Sequence, residues 1–238
     1  MNENKQQVHD FWNEASCGEN LYLPELSREA YEAQARKRYE LEPYILEFAG
    51  FDSAKAKRVL EIGVGLGADH QGYAQSGADL HGIDLTERAV EHTQRRLATF
   101  GLSSQLIVGD AEQLDFPDEC FDRVYSWGVL HHSPDTPEAV AEVWRVLKQG
   151  GEAKVMIYHK WSMVGLMLWI RYALLRLRPS ISLKEIYAGY LESPGTKAYS
   201  FGEARNLFDA FSDVSIRTVL THGDLLESDS GQRHRGIM

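Results

Sequence analysis

The chain has 238 residues, 43% hydrophobic and 25% charged, which suits one globular domain able to bury a full core. Its formal net charge of −10 repels a phosphate backbone, which argues against nucleic acid as the main partner and for a small molecule. The two cysteines, Cys17 and Cys120, have no metal-ligand spacing, so they support neither a disulfide framework nor a zinc site and fit a reducing cytoplasm.

Residues 1–57 read as a helical cap, with Val8, Phe11 and Trp12 on one helical face and Tyr31, Ala35 and Tyr39 on another. The first seven residues lack the apolar core of a secretion signal, so no export is expected. From residue 58 to about residue 157, short apolar runs alternate with helical patterns. That is the pattern of parallel strands covered on both faces by crossover helices. The first run, Arg58–Ile62, enters the turn Gly63-Val64-Gly65-Leu66-Gly67, and a helix is expected from near Ala68. Glycine permits positive φ and lets a ligand touch bare backbone, and the helix start offers free N–H groups and a positive dipole end. Gly63, Gly65 and Ala68 also satisfy the dinucleotide pattern G-x-G-x-x-G/A, so the turn alone does not choose between cofactors.

The second run, Asp79–Ile83, ends at Asp84, where a carboxylate can take both hydroxyls of a ribose. Thr86 is placed to cap the next helix, whose apolar face is Val90, Thr93, Leu97 and Phe100. A third run, Ser104–Val108, leads to a second carboxylate in Gly109-Asp110-Ala111-Glu112, which also suits a helix cap. The fourth, Phe121–Trp127, is followed by Gly128-Val129-Leu130-His131-His132. Thr136-Pro137 opens a helix expected to turn Val140, Val143, Trp144 and Leu147 inward, with Lys148 near its last carbonyls and Gly150 as its stop. The fifth run is Glu152–Tyr158.

The stretch Trp161–Leu177 is unusually apolar but interrupted by Arg171 and Arg176, and it falls short of the roughly 20 apolar residues of a membrane span. It reads as an inserted lid helix after the fifth strand, with interfacial membrane contact as the alternative. Residues 160–199, including the loop Glu192-Ser193-Pro194-Gly195-Thr196-Lys197, form the insertion in which acceptor choice is expected to reside. Ser200-Phe201-Gly202-Glu203 is a capping box followed by the stripe Ala204, Leu207, Phe208 and Phe211, and Val214–Leu220 is expected to be a last strand. The fold class is therefore α/β, a doubly wound and mostly parallel sheet over residues 58–238, with the cap in front.

The ordered set of strand ends, from the glycine turn through Asp84, Asp110 and the Trp127–His132 stretch to Leu147-Lys148-Gln149-Gly150-Gly151, resembles the class I methyltransferases that use S-adenosylmethionine. The resemblance is to their small-molecule branch, which includes the ubiquinone and menaquinone biosynthesis enzymes. It covers roughly residues 56 to 160 and implies a Rossmann-like fold, with S-adenosylhomocysteine as product. It places Glu61, Gly63, Gly65 and Gly67 beside the methionine portion, and Asp84 with Leu85 at the ribose. Asp110 would take the adenine amino group, with Ala111 beside the ring, and Trp127 would line the chamber near the sulfonium. Phe11-Trp12-Asn13 and Ser16-Cys17-Gly18 resemble a segment that some relatives fold over the cofactor, so Trp12 and Tyr22 would shield the cation. The family normally ends with a seventh, antiparallel strand, whereas after Leu220 this chain offers Thr221-His222-Gly223-Asp224 and a polar tail. A six-stranded sheet, a strand supplied otherwise and a shortened chain are the alternatives.

Methyl transfer from a sulfonium needs alignment and exclusion of water, and orientation of that kind contributes about 7–11 kcal/mol. A base matters only when the acceptor arrives protonated. His131 and His132 come first for that role, then Tyr158 and His159, each with a structural hydrogen-bonding role as the alternative. No metal is expected at the adjacent histidines, because neighbouring side chains on an extended segment point opposite ways. The expected activity is transfer of a methyl group to an oxygen or nitrogen of a small metabolite with an apolar or aromatic part. The alternatives are an NAD(P)-dependent oxidoreductase using the same glycine turn, against which Asp110 and Gly128–His132 speak, and a cofactor-binding regulator without turnover. Oligomeric state is left open.

Overall fold

The computed structural model describes residues 2–221. Its centre is one sheet of five parallel strands: β1 Arg58–Ile62, β2 Asp79–Asp84, β3 Gln105–Val108, β4 Phe121–Trp127 and β5 Leu147–Met156. The order is β3-β2-β1-β4-β5, so the winding reverses between β1 and β4. Open parallel sheets hold their ligands outside the carboxyl ends of the strands at such a reversal. Val59, Leu60, Glu61 and Ile62 of β1 are all buried, which is why this strand reads as a nearly continuous apolar run and not as an alternating one.

Four helices precede the sheet: α1 Glu3–Glu14, α2 Glu19–Tyr22, α3 Arg28–Leu41 and α4 Tyr44–Ala49. Within and after it come α5 Ala68–Ser76, α6 Glu87–Thr99, α7 Thr136–Val146, α8 Met163–Trp169, α9 Leu183–Tyr190 and α10 Phe201–Leu207. Leu60, Ile62, Ile83, Phe121 and Val124 of the sheet pack against Ala139, Val140, Val143 and Val146 of α7. On the other face Val59, Leu80 and Tyr125 meet Tyr73 of α5 and Ala49 of α4. Helix α4 is thus part of the packing on that face of the sheet. Arg96 of α6 ties α3 down. Fully buried, it donates to the side chains of Gln71 (2.7 Å) and Gln34 (2.6 Å) and to the carbonyls of Leu66 (3.1 Å) and Tyr31 (3.0 Å), and burial pulls its guanidinium down to about 10. It thereby fastens α3 to the glycine turn.

Several expectations are corrected. Helix α7 is capped by the Asp135 carboxylate, which accepts from Glu138 N at 3.1 Å, whereas the Thr136 hydroxyl is buried and donates to the Leu130 carbonyl at 3.0 Å. Ala139 and Val146 turn the buried face of this helix away from Trp144, which is 53% exposed. The helix ends at Val146, so Leu147 already begins β5, and Lys148 pairs with Asp122 at 2.7 Å instead of with helix carbonyls. The segment Val214–Leu220 forms no strand, and none of its residues is buried. Strand preference expresses packing on neighbours, and this segment has no ladder partner among the described residues. The expected polar tail from residue 222 onward lies outside the described residues.

The insertion folds as two helices instead of one. Ser162 caps α8 by accepting from Gly165 N at 3.0 Å, a wide π-helical turn comes next at Ile170–Leu174, and α9 returns. Leu168, Ala173 and Ile186 form the small core of this lid. Among the described residues no helix is long and apolar enough to cross a membrane.

Candidate cofactor and acceptor site

Gly63, Gly65 and Gly67 all take positive φ, at +84°, +51° and +74°. Two of them matter for different reasons. A Cβ at Gly63 would stand 2.1 Å from Cγ2 of Val129, so its hydrogen is what lets the chain after β4 close on the tip of β1. A Cβ at Gly65 would meet nothing within 4 Å, so this residue presents bare backbone to open space. Gly63→Ala is expected to cost about 2–5 kcal/mol, from overpacking and the left-handed φ together. Gly65→Ala meets only the backbone penalty of about 1–2 kcal/mol. Thermal unfolding of the two variants side by side checks the difference.

Asp84 closes β2 beside this turn. Its Oδ2 accepts from Gly65 N at 3.2 Å, and its Oδ1 accepts from Thr86 N (3.0 Å) and Thr86 Oγ1 (2.9 Å). Burial pushes its carboxyl up while those N–H groups oppose the rise. Thr86 in turn caps α6, as the sequence suggests, and Leu85 is half-buried between them. Glu61 is 3% exposed, its Oε2 in a hydrogen bond with Nδ1 of His70 at 2.8 Å. Nε2 of His70 meets Ser104 Oγ at 2.7 Å, and burial pulls this imidazole down to about 3, so the ring is neutral. Burial, and then the nearby Asp69, push the Glu61 carboxyl well above the usual range. Glu61 therefore braces the turn from inside.

Asp110 and Glu112 are both gripped by Lys5 of α1, an ion pair that sequence reasoning missed because nothing local marks a lysine 105 residues away. Asp110 Oδ1 also accepts from Glu112 N at 2.9 Å, the local turn contact that aspartate favours. Ala111 packs against the main core. Trp127, at the end of β4, stacks on Tyr44 at 5.9 Å and meets Phe48 edge-on at 5.4 Å. Trp12 of α1 comes over the strand tips with its ring edge-on to His132 at 5.2 Å. The Tyr22 hydroxyl is buried without a partner among the described residues, its ring against Gly18.

The histidine pair is where the structure departs most from expectation. Leu130–His132 is a 3₁₀ turn and not extended backbone, so the two rings lie 4.2 Å apart instead of diverging. His131 also lies 3.9 Å from the Tyr158 ring. It is fully buried, both its ring nitrogens are without partners among the described residues, and burial pulls its pKa well below the ordinary histidine value. His132 Nδ1 contacts Ser193 Oγ (2.9 Å) and Thr196 Oγ1 (3.0 Å). Thr196 spends its own proton on the Ser193 carbonyl at 2.6 Å, so it accepts from His132 Nδ1–H. Nε2 is then the atom facing Glu192, at 3.3 Å. The same carboxylate accepts from Tyr158 Oη at 2.8 Å, and burial together with that charge pushes the tyrosine hydroxyl up.

Donor atoms of His131, His132 and Glu192 lie within 4.8 Å of one another, close enough to hold a cation. The loop expected to govern acceptor choice thus supplies Glu192, Ser193 and Thr196, and Lys197 N fastens it by donating to the His131 carbonyl at 3.0 Å. Glu192 was not singled out from sequence, since its position 60 residues after His132 carries no local signal. His159 is not brought to this cluster. It lies beside Phe201, and its backbone pairs with Tyr199.

Residues 60–155 match a family model described as a methyltransferase domain. A phosphatidylethanolamine N-methyltransferase of Cereibacter sphaeroides is 34% identical over 106 residues, 44% of this chain and 52% of the relative. A sterol 24-C-methyltransferase of Gibberella zeae is 34% identical over 109 residues, 44% of this chain and 28% of that protein. The matches thus span about half of the first relative and little more than a quarter of the second. Among solved structures, the YcgJ protein of Bacillus subtilis shares 27% identity at a TM-score of 0.52, over 69% of this chain and 67% of that one. The strand order with its reversal beside the glycine turn and the matched region coincide, so residues 60–155 are similar to a methyltransferase domain and lie on a Rossmann-like α/β fold.

Proposed function

We propose that this protein transfers a methyl group from S-adenosylmethionine to an oxygen or nitrogen of a small acceptor with an apolar part, in a chamber between the strand tips and the lid. The observation that carries the reading is the pairing of an open Gly65 with the Asp84 carboxylate on one side, and a buried His131 with two free ring nitrogens on the other. The residues present fit the cofactor: bare backbone at Gly65, a strand-tip carboxylate with a lone pair to spare at Asp84, and aromatic rings at Trp127, Tyr44 and Trp12 that favour a nearby cation. The cofactor supplies an already activated methyl group.

The chain's own residues then have three tasks. Asp84 and Gly65 hold the adenosyl end, with Asp110 available to the adenine at its solvent-open side, 31% exposed. Trp12, Trp127 and Tyr44 exclude water and orient the acceptor. A proton leaving the acceptor heteroatom passes through Tyr158 and Glu192 to His132 Nε2, where Ser193 and Thr196 hold the ring in register. The names of the relatives, an N-methyltransferase of a phospholipid and a C-methyltransferase of sterols, support an acceptor with a large apolar part.

Calorimetric titration with S-adenosylhomocysteine and, separately, with NADH tests the cofactor half of this reading. Binding of the first in the micromolar range and none of the second is expected, and the reverse result overturns it. Methyl transfer to a panel of amine and hydroxyl acceptors carrying apolar chains tests turnover, and a panel without any product leaves a cofactor-binding regulator as the better description.

A further inference from the structure

The lid has an outer face that the methyltransferase reading does not use. Residues 161–184 contain Arg171, Arg176, Arg178 and Lys184 and no aspartate or glutamate, in a chain whose net charge is −10. Its inner side is spent on Leu168, Ala173 and Ile186. Its outer side exposes Trp161 (69%), Met163 (54%), Leu166 (50%), Leu174 (46%), Leu175 (65%) and Leu177 (90%). These are six of the fifteen exposed large apolar side chains among the described residues, gathered into seventeen positions, so the clustering is not the scatter of an ordinary surface.

Two further observations point the same way. Leu177 has φ +56°, a left-handed conformation that costs a leucine about 1–2 kcal/mol and that a glycine would adopt freely. Yet the backbone there is fixed, with Leu177 N donating to the Leu174 carbonyl at 3.0 Å and Arg178 N to the Ala173 carbonyl at 2.8 Å, so the most exposed leucine is held outward at a conformational cost. None of Arg171, Arg176 and Arg178 makes a salt bridge among the described residues. Arg171 and Arg176 lie over the Tyr172 ring at 5.3 and 5.2 Å, which orders them without neutralising them. A groove of about 470 Å³ opens between Trp161, Leu166, Trp169 and Ile181, flanked by Lys160 and Lys184.

We propose that this lid face docks on the surface of a bilayer rich in anionic phospholipid. Leu174, Leu175, Leu177 and Trp161 enter the boundary between headgroups and acyl chains, and the exposed Arg176 and Arg178 meet phosphate. Interfacial binding of this kind grows with buried apolar area and with attraction to anionic lipid, and it needs no spanning helix. Charge complementarity selects the occupant: a basic strip, with Glu185 near Arg178 at its end, on an acidic protein is attracted to an anionic membrane, whose charge is uniform where that of a second copy is mixed. Resting on the proposed function, the docked lid would also deliver an apolar acceptor to the loop 192–197 at its base.

Co-sedimentation of the full chain with phosphatidylcholine vesicles, with and without phosphatidylglycerol, tests the docking itself. Binding is expected only with phosphatidylglycerol, weakening with salt. It should fall about fivefold for each of Arg176→Gln and Arg178→Gln and at least tenfold for the double variant Leu175→Glu/Leu177→Glu, with thermal midpoints unchanged. Absence of binding to either vesicle overturns the proposal, as does full binding by the double variant. Self-association in sedimentation velocity that Leu175→Glu/Leu177→Glu abolishes without lipid also overturns it, and reassigns the face to a second copy. S-adenosylhomocysteine affinity, measured on the same preparations, separates failure of the docking from failure of the methyltransferase reading.

Discussion

Asp69→Ala is expected to lower the stability of the protein by about 3–5 kcal/mol, a large share of the roughly 5–15 kcal/mol that a domain has in total. The carboxylate lies in the first turn of α5, 4% exposed. It receives both Nε (3.0 Å) and Nη2 (2.7 Å) of Arg38, and the hydroxyls of Tyr39 (3.0 Å) and Tyr125 (2.8 Å). Burial opposes its ionisation, but the guanidinium and these hydrogen bonds prevail and hold its carboxyl below the usual range. Removing it leaves the half-buried Arg38 guanidinium of α3 with only Glu42 at 3.8 Å and strands the buried Tyr125 hydroxyl of β4 in one step. Asp69→Asn keeps the shape without the charge and should lose less. Urea midpoints at unchanged m-value measure both variants. Equal stability of Asp69→Ala and the parent would mean that this carboxylate cluster does not hold α3 to the sheet.

Asp84→Ala is expected to weaken S-adenosylhomocysteine binding about 100-fold or more while the chain stays folded. Two hydrogen bonds from ribose hydroxyls to an ionised carboxylate are together worth at least about 3 kcal/mol, since bonds to charged groups contribute roughly 1.5–3 kcal/mol each. The local cost to the fold is small. Thr86 still caps α6 with its own hydroxyl, and the burial that disfavours the carboxylate disappears with it. Calorimetry decides the matter, with circular dichroism as the control. An affinity within twofold of the parent, in a folded protein, would remove Asp84 from the proposed cofactor contacts.

Much of this protein follows from short-range chemistry alone. The apolar runs at residues 58–62 and 121–127 became β1 and β4 at the boundaries expected, because a fully buried parallel strand needs only a run of such residues between turn signals. The glycine turn, the Thr86 cap and the capping box at Ser200 and Glu203 are likewise local, each set by φ preference or by a hydroxyl three residues from a free N–H. Where a feature depended on a distant neighbour, the local pattern failed. Val214–Leu220 alternates like a strand yet has no ladder partner among the described residues, and Trp144 has helical spacing yet points to solvent because Ala139 and Val146 set the buried face.

The polar wall of the proposed chamber belongs to that second class. Local pattern was enough to place histidines after β4, a carboxylate at the end of β2 and an apolar lid beyond β5. It took the folded arrangement to converge His131 and His132 through a 3₁₀ turn, to return Glu192 from the lid to His132 and Tyr158, and to set Lys5 between Asp110 and Glu112. The physical reason is that hydrogen bonds and ion pairs act over about 3 Å whatever the separation along the chain. Periodicity and propensity report only the few residues on either side.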